Sequence, residues 1–216
     1  MAAPSKGRFI TLEGGEGVGK STQARLLAER LEPMGIAVVV TREPGGSPGA
    51  EALREVILSG KAAPFGPAGE AILFSAARID HIDNTIAPAL KRGAWVISDR
   101  FADSTLAYQG YAGGVDKRRL GQLHRLIADD FAPDLTLILD LPTETGLARA
   151  RQRGGAGEDR FERMGAAFHD KLRAGFLAIA KRDAERCVVI DATLGIEAVQ
   201  QAVREAVGRR FGVRFP

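Results

Sequence analysis

Phe9–Gln23 reads FITLEGGEGVGKSTQ: an apolar run, a glycine-rich loop, then residues able to open a helix. Within it, Gly14–Ser21 matches the eight-residue phosphate-loop pattern G-x-x-x-x-G-K-[ST] in full. Triphosphate oxygens must be met by several backbone N–H groups at once, so the loop needs residues that tolerate unusual dihedrals and allow close approach. Gly14, Gly15, Gly17 and Gly19 meet that need. Lys20 can reach the β and γ phosphates, and the Ser21 hydroxyl is the usual ligand to an accompanying magnesium ion. The next helix, STQARLLAERL, turns its positive end toward the anion. A strand before and helical apolar spacing after are the context the motif requires, which makes a ligand-free glycine turn the weaker reading.

Outward from this loop, strand-like and helix-like segments alternate to the end of the chain. Ile36–Thr41, Ala94–Ser98, Leu135–Asp140 and Cys187–Ile190 read as the second to fifth strands. Helices are expected over 50–58, about 70–91, 117–129, 143–153, about 161–181 and 196–211. On the second of these, Ile72, Leu73, Ala76, Ile79, Ile82 and Ile86 map to one face, and Pro88 is placed to kink or shorten it. Arg42–Gly49 is a Pro/Gly turn, STLAYQGYAGG a segment stopped by its glycines, and GRRFGVRFP a solvated tail. Uninterrupted apolar strands separated by helices predict an α/β fold, a five-stranded parallel sheet covered by helices on both faces. Ligands on such sheets bind beyond the carboxyl ends of the strands. That rule gathers Gly14–Ser21, Arg42–Gly46, Asp99–Arg100 and Asp140 on one edge.

Bulk composition fits one domain spanning residues 1–216, long enough for a good core and short for two. The net charge of +3 is spread along the chain and forms no basic block, so no nucleic-acid partner is expected. Cys187, the single cysteine, lies in a strand-like stretch and reads as a core residue of a reducing compartment. MAAPSKGR has no apolar signal region and no run approaches a transmembrane length, so the expectation is cytoplasmic, with no membrane partner. His81, His124 and His169 are scattered without metal-ligand spacing.

Two apolar runs ending in aspartate compete to supply a carboxylate to the metal: AWVIS before Asp99, and LTLILD ending at Asp140. Spacing alone does not choose between them. Arg100 beside Asp99 adds a planar guanidinium suited to phosphate oxygens, which favours Asp99 with Ser21 in the metal shell.

The ordered set FITLEGGEGVGKSTQ, REPGG, LFSAARIDHI, SDRFADSTLAYQG and ARARQRGGAGEDRFE closely resembles the bacterial thymidylate kinases, P-loop nucleoside monophosphate kinases, over nearly the whole chain. The resemblance implies magnesium-dependent phosphoryl transfer from ATP to dTMP by a homodimer. It places the ATP contacts at the loop glycines with Lys20, Ser21 and Thr22. On the acceptor side it implies that Phe74 stacks on the thymine and Arg78, one helical turn on, bonds O4. Arg100 and Arg42 would hold phosphate, Thr105 and Gln109 would border the nucleotide, and Tyr108 would crowd the ribose 2′ position. Glu16 would face the substrate sugar, a carboxylate among phosphates being costly unless compensated. A lid over about 149–162 would close on ATP; because the loop GGEGVG lacks an arginine, Arg153 would be the catalytic one and Arg149 an adenine-side contact. Other readings are a kinase for another nucleoside monophosphate or deoxynucleoside, and a P-loop switch. The switch is disfavoured because the guanine-reading N-K-x-D pattern is missing.

Overall fold

The computed structural model describes residues 6–129, 131–153 and 159–216, apart from the side chains of Arg153 and Asp159. Five parallel strands form one sheet in the order β2-β3-β1-β4-β5, with β1 Arg8–Glu13, β2 Val38–Arg42, β3 Trp95–Asp99, β4 Leu135–Asp140 and β5 Cys187–Asp191. β1 alternates between the two faces. Ile10 and Leu12 enter a core with Leu27, Leu31, Trp95 and Val203, while Phe9 on the other side joins Val96, Ile86 and Phe101. Both faces are therefore covered, which is why the strands read as unbroken apolar runs. Register sets the functional edge: Leu12 and Arg42 each pair with Asp99, so β1, β2 and β3 end level.

The first face is covered by α1 (Lys20–Leu31) and α10 (Ile196–Phe211); the site borrows α2 (Pro48–Leu58) and α3 (Gly66–His81) from the other. Pro48 opens α2 two residues earlier than expected, at a position where its missing N–H costs nothing. The helix expected over 70–91 is α3, a π turn at Ile82–Ile86 and α4 (Ala87–Lys91). Pro88 explains the interruption: its ring excludes the carbonyl four residues back, that of Asn84, which lies inside the π turn. Ile82 follows the inward stripe of α3 by ordinary helical spacing, the extra residue of the π turn then rotates α4 by about 100°, and the expected apolar face does not hold together. Ile82 and Ile86 are buried, whereas Ile72 and Ile79 are 59% and 38% exposed. The inward stripe of α3 is instead Ala71, Ser75 and Arg78.

The segment STLAYQGYAGG lies in α5 (Ala102–Thr105) and the π turn at Leu106–Ala112, and its helical run stops at Gly113, before α6 (Lys117–Ala128). Two further expectations are corrected. The helix expected over 161–181 is two: α8 (Asp159–Glu162) and α9 (Ala166–Arg182), separated at Gly165, whose carbonyl accepts the first turn of α9. The tail is not solvated. Gly212 at φ 73° ends α10 and returns the chain, so that Phe211 meets Trp95 edge-on at 5.0 Å and Val213 and Phe215 pack on the core. The strand ends and the ends of α6 and α9 otherwise move by one or two residues, and α7 (Thr143–Arg153) spans the expected range. No helix among the described residues is long and apolar enough to cross a membrane.

Candidate active site

The loop after β1 is built from close contacts as much as from dihedrals. Gly14, Gly17 and Gly19 have φ of 132°, 67° and 95°, values that side chains resist. A Cβ on Gly14 would lie 2.5 Å from the Leu139 carbonyl, and one on Gly17 2.0 Å from the Gly146 carbonyl. Gly146, in the first turn of α7, is equally constrained, since its own Cβ would meet the Glu16 carbonyl at 2.5 Å. Gly15 has neither constraint. Lys20 is buried and its ammonium donates to the carbonyls of Gly14 (3.3 Å) and Gly15 (2.7 Å). Burial, and then the neighbouring Arg100, hold its pKa below the ordinary lysine value.

The Ser21 hydroxyl donates to the Asp99 carboxylate across the mouth of the loop. A hydroxyl and a carboxylate side by side are hard oxygen donors, the set that suits Mg²⁺ with phosphate and water completing its shell. Asp140 is engaged elsewhere: Arg173 grips both its oxygens, at 2.7 and 2.8 Å.

Arg100 stands between the two halves of the site, with its backbone at φ 75°, rare for a residue with a side chain. Its guanidinium donates to the Gly14 carbonyl (3.1 Å), the Ser104 hydroxyl (3.2 Å) and the Glu16 carboxylate (2.9 Å), and lies over the Tyr108 ring at 5.0 Å. The Tyr108 hydroxyl also donates to Glu16, at 2.5 Å. Burial pushes Glu16 up, but Arg100, Lys20 and Tyr108 together outweigh it and bring the carboxyl down to about 2. The pair is thus ionised throughout the neutral range. Arg100, by contrast, is raised above its ordinary value, Tyr108 and Glu16 overcoming its desolvation.

A cleft of about 760 Å³ joins this region to the rest. Glu16, Gly17, Gly19, Lys20, Ser21, Thr22, Arg42, Phe74, Arg78, Asp99, Arg100, Thr105, Tyr108 and Gln109 all line it. Arg42 carries an exposed ion pair with Glu51 at 3.1 Å, of the kind worth little. Arg78 is buried, 2% exposed, and held by Glu43 and Thr105. Gln109 is buried, its amide N–H donating to Glu70 at 3.3 Å, with its carbonyl oxygen lacking a partner among the described residues. Arg149 lies outside the cleft, exposed on α7 and donating to the Ala192 carbonyl at 3.3 Å. The lid glycines 154–158 and the Arg153 side chain lie outside the described residues.

Several neighbours of these residues were not legible as functional. Phe161 of α8 walls the cleft, 6.3 Å from Phe74 and 5.4 Å from Tyr108 between ring centres. Glu13, the last residue of β1, is buried and accepts from the Phe101 N–H (2.8 Å) and the Ser104 hydroxyl (2.6 Å), bracing the turn that carries Arg100. Burial and then Asp103 push its carboxyl up to about 8. Because the folded-state value exceeds the unfolded one, this group's contribution to stability is greatest below pH 4.5 and is lost as pH rises toward about 8. Glu13→Gln is expected to remove that slope. Melting temperatures of the variant relative to the parent should therefore rise between pH 5 and 8; parallel profiles would contradict a neutral Glu13.

A phosphate loop ending a parallel strand, facing an arginine-lined cleft with aromatic walls, defines a P-loop kinase of nucleotides. Similarity to known proteins narrows the class. The chain belongs to the thymidylate kinase family, whose model matches residues 12–203. It is 54% identical over 209 residues to the thymidylate kinase of Caulobacter vibrioides, covering 97% of this chain and all of that one. It is 50% identical over 216 residues to that of Afipia carboxidovorans, covering 100% and 95%. The crystal structure of thymidylate kinase from Ehrlichia chaffeensis superposes with a TM-score of 0.75 at 36% identity, covering 93% of this chain and 98% of that one.

Proposed function

We propose that this protein transfers the γ-phosphoryl group of ATP to dTMP, giving dTDP and ADP, and that residues 1–216 act as one nucleotide kinase domain. The observation that carries the reading is that a single cleft is lined both by the loop residues Lys20 and Ser21 and by Phe74, Arg78 and Tyr108. ATP phosphates would lie on the loop N–H groups and Lys20. Mg²⁺ held by Ser21 and Asp99 would neutralise charge on the triphosphate. The acceptor oxygen belongs to a phosphate already ionised at neutral pH, so no general base is required. The protein's work is then positioning and charge stabilisation.

Arg100 stands where it can hold the acceptor phosphate beside the loop, kept in place by Glu16. Phe74 offers an aromatic face to the base, worth on the order of 1 kcal/mol. The unpartnered Gln109 carbonyl oxygen is an acceptor that suits a ring N–H such as that of thymine. Arg153 is proposed as the lid arginine that completes charge neutralisation. A homodimer fits the exposed Ile72, Ile79 and Leu126 on α3 and α6, apolar surface that a second copy would cover. A cytoplasmic location is proposed with it.

Rates with dTMP, dUMP, dCMP, dGMP and thymidine as acceptors test the assignment: dTMP should be turned over most efficiently. Activity on thymidine and none on dTMP would overturn it. Tyr108 gives a second test. Its ring is wedged between Phe161 and the Arg100 guanidinium, so bulk is what it presents to the sugar. Tyr108→Ala should relax discrimination against the ribonucleotide by about 10-fold or more, and Tyr108→Phe by much less. Equal effects of the two would assign the role to the hydroxyl.

A further inference from the structure

The guanidinium of Arg78 is gripped on one edge only. Its Nε donates to Glu43 Oε2 at 2.8 Å, and its Nη2 lies 2.7 Å from the same oxygen and donates to Thr105 Oγ1 at 3.1 Å. Its carbon lies 5.1 Å from the centre of the Phe101 ring, which supports one face. Nη1 makes no hydrogen bond among the described residues, and the side chain lines the cleft. The two N–H groups left over thus form a donor edge whose direction is set by whatever fixes the opposite edge.

That fixing is done by Glu43. Its carboxylate is 5% exposed, and its second oxygen is held by His81 Nδ1 at 3.2 Å. The far nitrogen of His81 meets Thr41 Oγ1 of β2 at 2.7 Å. An N–H on Nδ1 donating to the carboxylate, with Nε2 hydrogen-bonded to the threonine hydroxyl, satisfies every link. The backbone is pinned too, the Glu43 N–H donating to the Asp99 carbonyl at 2.9 Å. Bulk is excluded behind the chain: a Cβ on Gly46 would stand 2.4 Å from Thr41 Oγ1 and 2.5 Å from His81 Nε2. Glu43 is therefore tied to the sheet and presents its free reach in one direction.

We infer that Glu43 is a positioning residue that aims the free edge of Arg78 at the acceptor base, setting selectivity for a ring carbonyl over an amino group at the position it meets. The inference rests on the reading of Arg78 as the base contact. A donor edge rewards a carbonyl acceptor and leaves an amino group facing N–H groups, which is how a small geometric constraint becomes discrimination. Glu43 itself touches no substrate in this scheme, since both oxygens are already used.

Length and charge at position 43 separate positioning from mere charge compensation. Glu43→Asp keeps the charge but draws the carboxylate back by one methylene; Glu43→Gln keeps the reach and loses the charge. With Glu43→Asp, KM for dTMP should rise about 10-fold and the dTMP-to-dCMP ratio of kcat/KM fall about 10-fold, with kcat and KM for ATP within about twofold. Glu43→Gln should keep the ratio within about threefold of the parent. Retained selectivity in Glu43→Asp, or a loss of kcat shared by both acceptors at an unchanged ratio, would overturn the inference. Should Glu43→Asp fail to fold, His81→Gln loosens the second oxygen and is expected to lower the ratio about threefold; an unchanged ratio there overturns it equally. Arg78→Lys tests the underlying reading separately. If it leaves the ratio intact, the base contact of Arg78 fails; if it collapses the ratio while Glu43→Asp does not, only the positioning role fails.

Discussion

Lys20→Ala is expected to lower kcat by about 1000-fold or more while leaving the fold intact, the scale of removing a preorganised charge from a transferring group. The ammonium is buried at the head of α1 and, among the described residues, hydrogen-bonds to two loop carbonyls, a position that suits the proposed ligand role and adds nothing to the apolar core. Its pKa is lowered in the folded protein by burial and by Arg100, which means the charged form burdens the fold. The melting temperature of the variant should accordingly be equal to or above that of the parent. Single-turnover rates with ATP and dTMP alongside melting curves make the measurement. A near-normal rate would contradict the assignment of the loop, and a lost rate with a collapsed fold would make the lysine structural.

Arg100→Ala should have an effect of similar size by another route. Removing the guanidinium takes away the proposed hold on the acceptor phosphate and deprives the buried Glu16 of its strongest stabilising charge. A fall of about 1000-fold in kcat/KM for dTMP is expected, with KM for ATP changed far less. Stability carries a second signature. Glu16 has a depressed folded-state pKa, so its contribution is present above the unfolded value of 4.5 and is lost as pH falls through about 2. From that shift the contribution is on the order of 3 kcal/mol at neutral pH. The variant should melt below the parent at pH 7, the gap closing as pH falls from 4.5 toward 2. A constant gap would show that Glu16 does not depend on Arg100.

The fold class was legible because both of its signals are local. Five apolar runs and the helical spacing between them describe a buried parallel sheet, and that is the sheet observed. What local pattern could not show was phase. Pro88 was visible as a disturbance of a helix, but neither the π turn before it nor the inward side of the helix was, and these leave Ile72 and Ile79 exposed while Ile82 and Ile86 are buried. Gly165 was one glycine among many in sequence and became a helix boundary because its carbonyl serves the next helix. The tail looked polar from its arginines, yet Phe211, Val213 and Phe215 reach the core once Gly212 turns the chain.

The site divides in the same way. Gly14–Ser21 specifies a phosphate cradle by itself, because the glycines, the lysine and the hydroxyl act through backbone geometry contained within eight residues. Strand ends also place Arg42, Asp99 and Arg100 on one edge, since parallel strands in register finish together. Asp99 was preferred over Asp140 from the arginine beside it, whereas the engagement of Asp140 by Arg173 depends on a helix distant in sequence and had to await the packing. So did Glu43, Phe161 and Glu13, whose roles consist of contacts between elements 35 to 91 residues apart, which no short pattern encodes. Sequence by itself determined a loop whose residue types and spacing suit a nucleotide phosphate. Tertiary structure decided how Arg78 and its neighbours in the cleft are aimed, because direction in a buried network is set by the partners on the opposite edge.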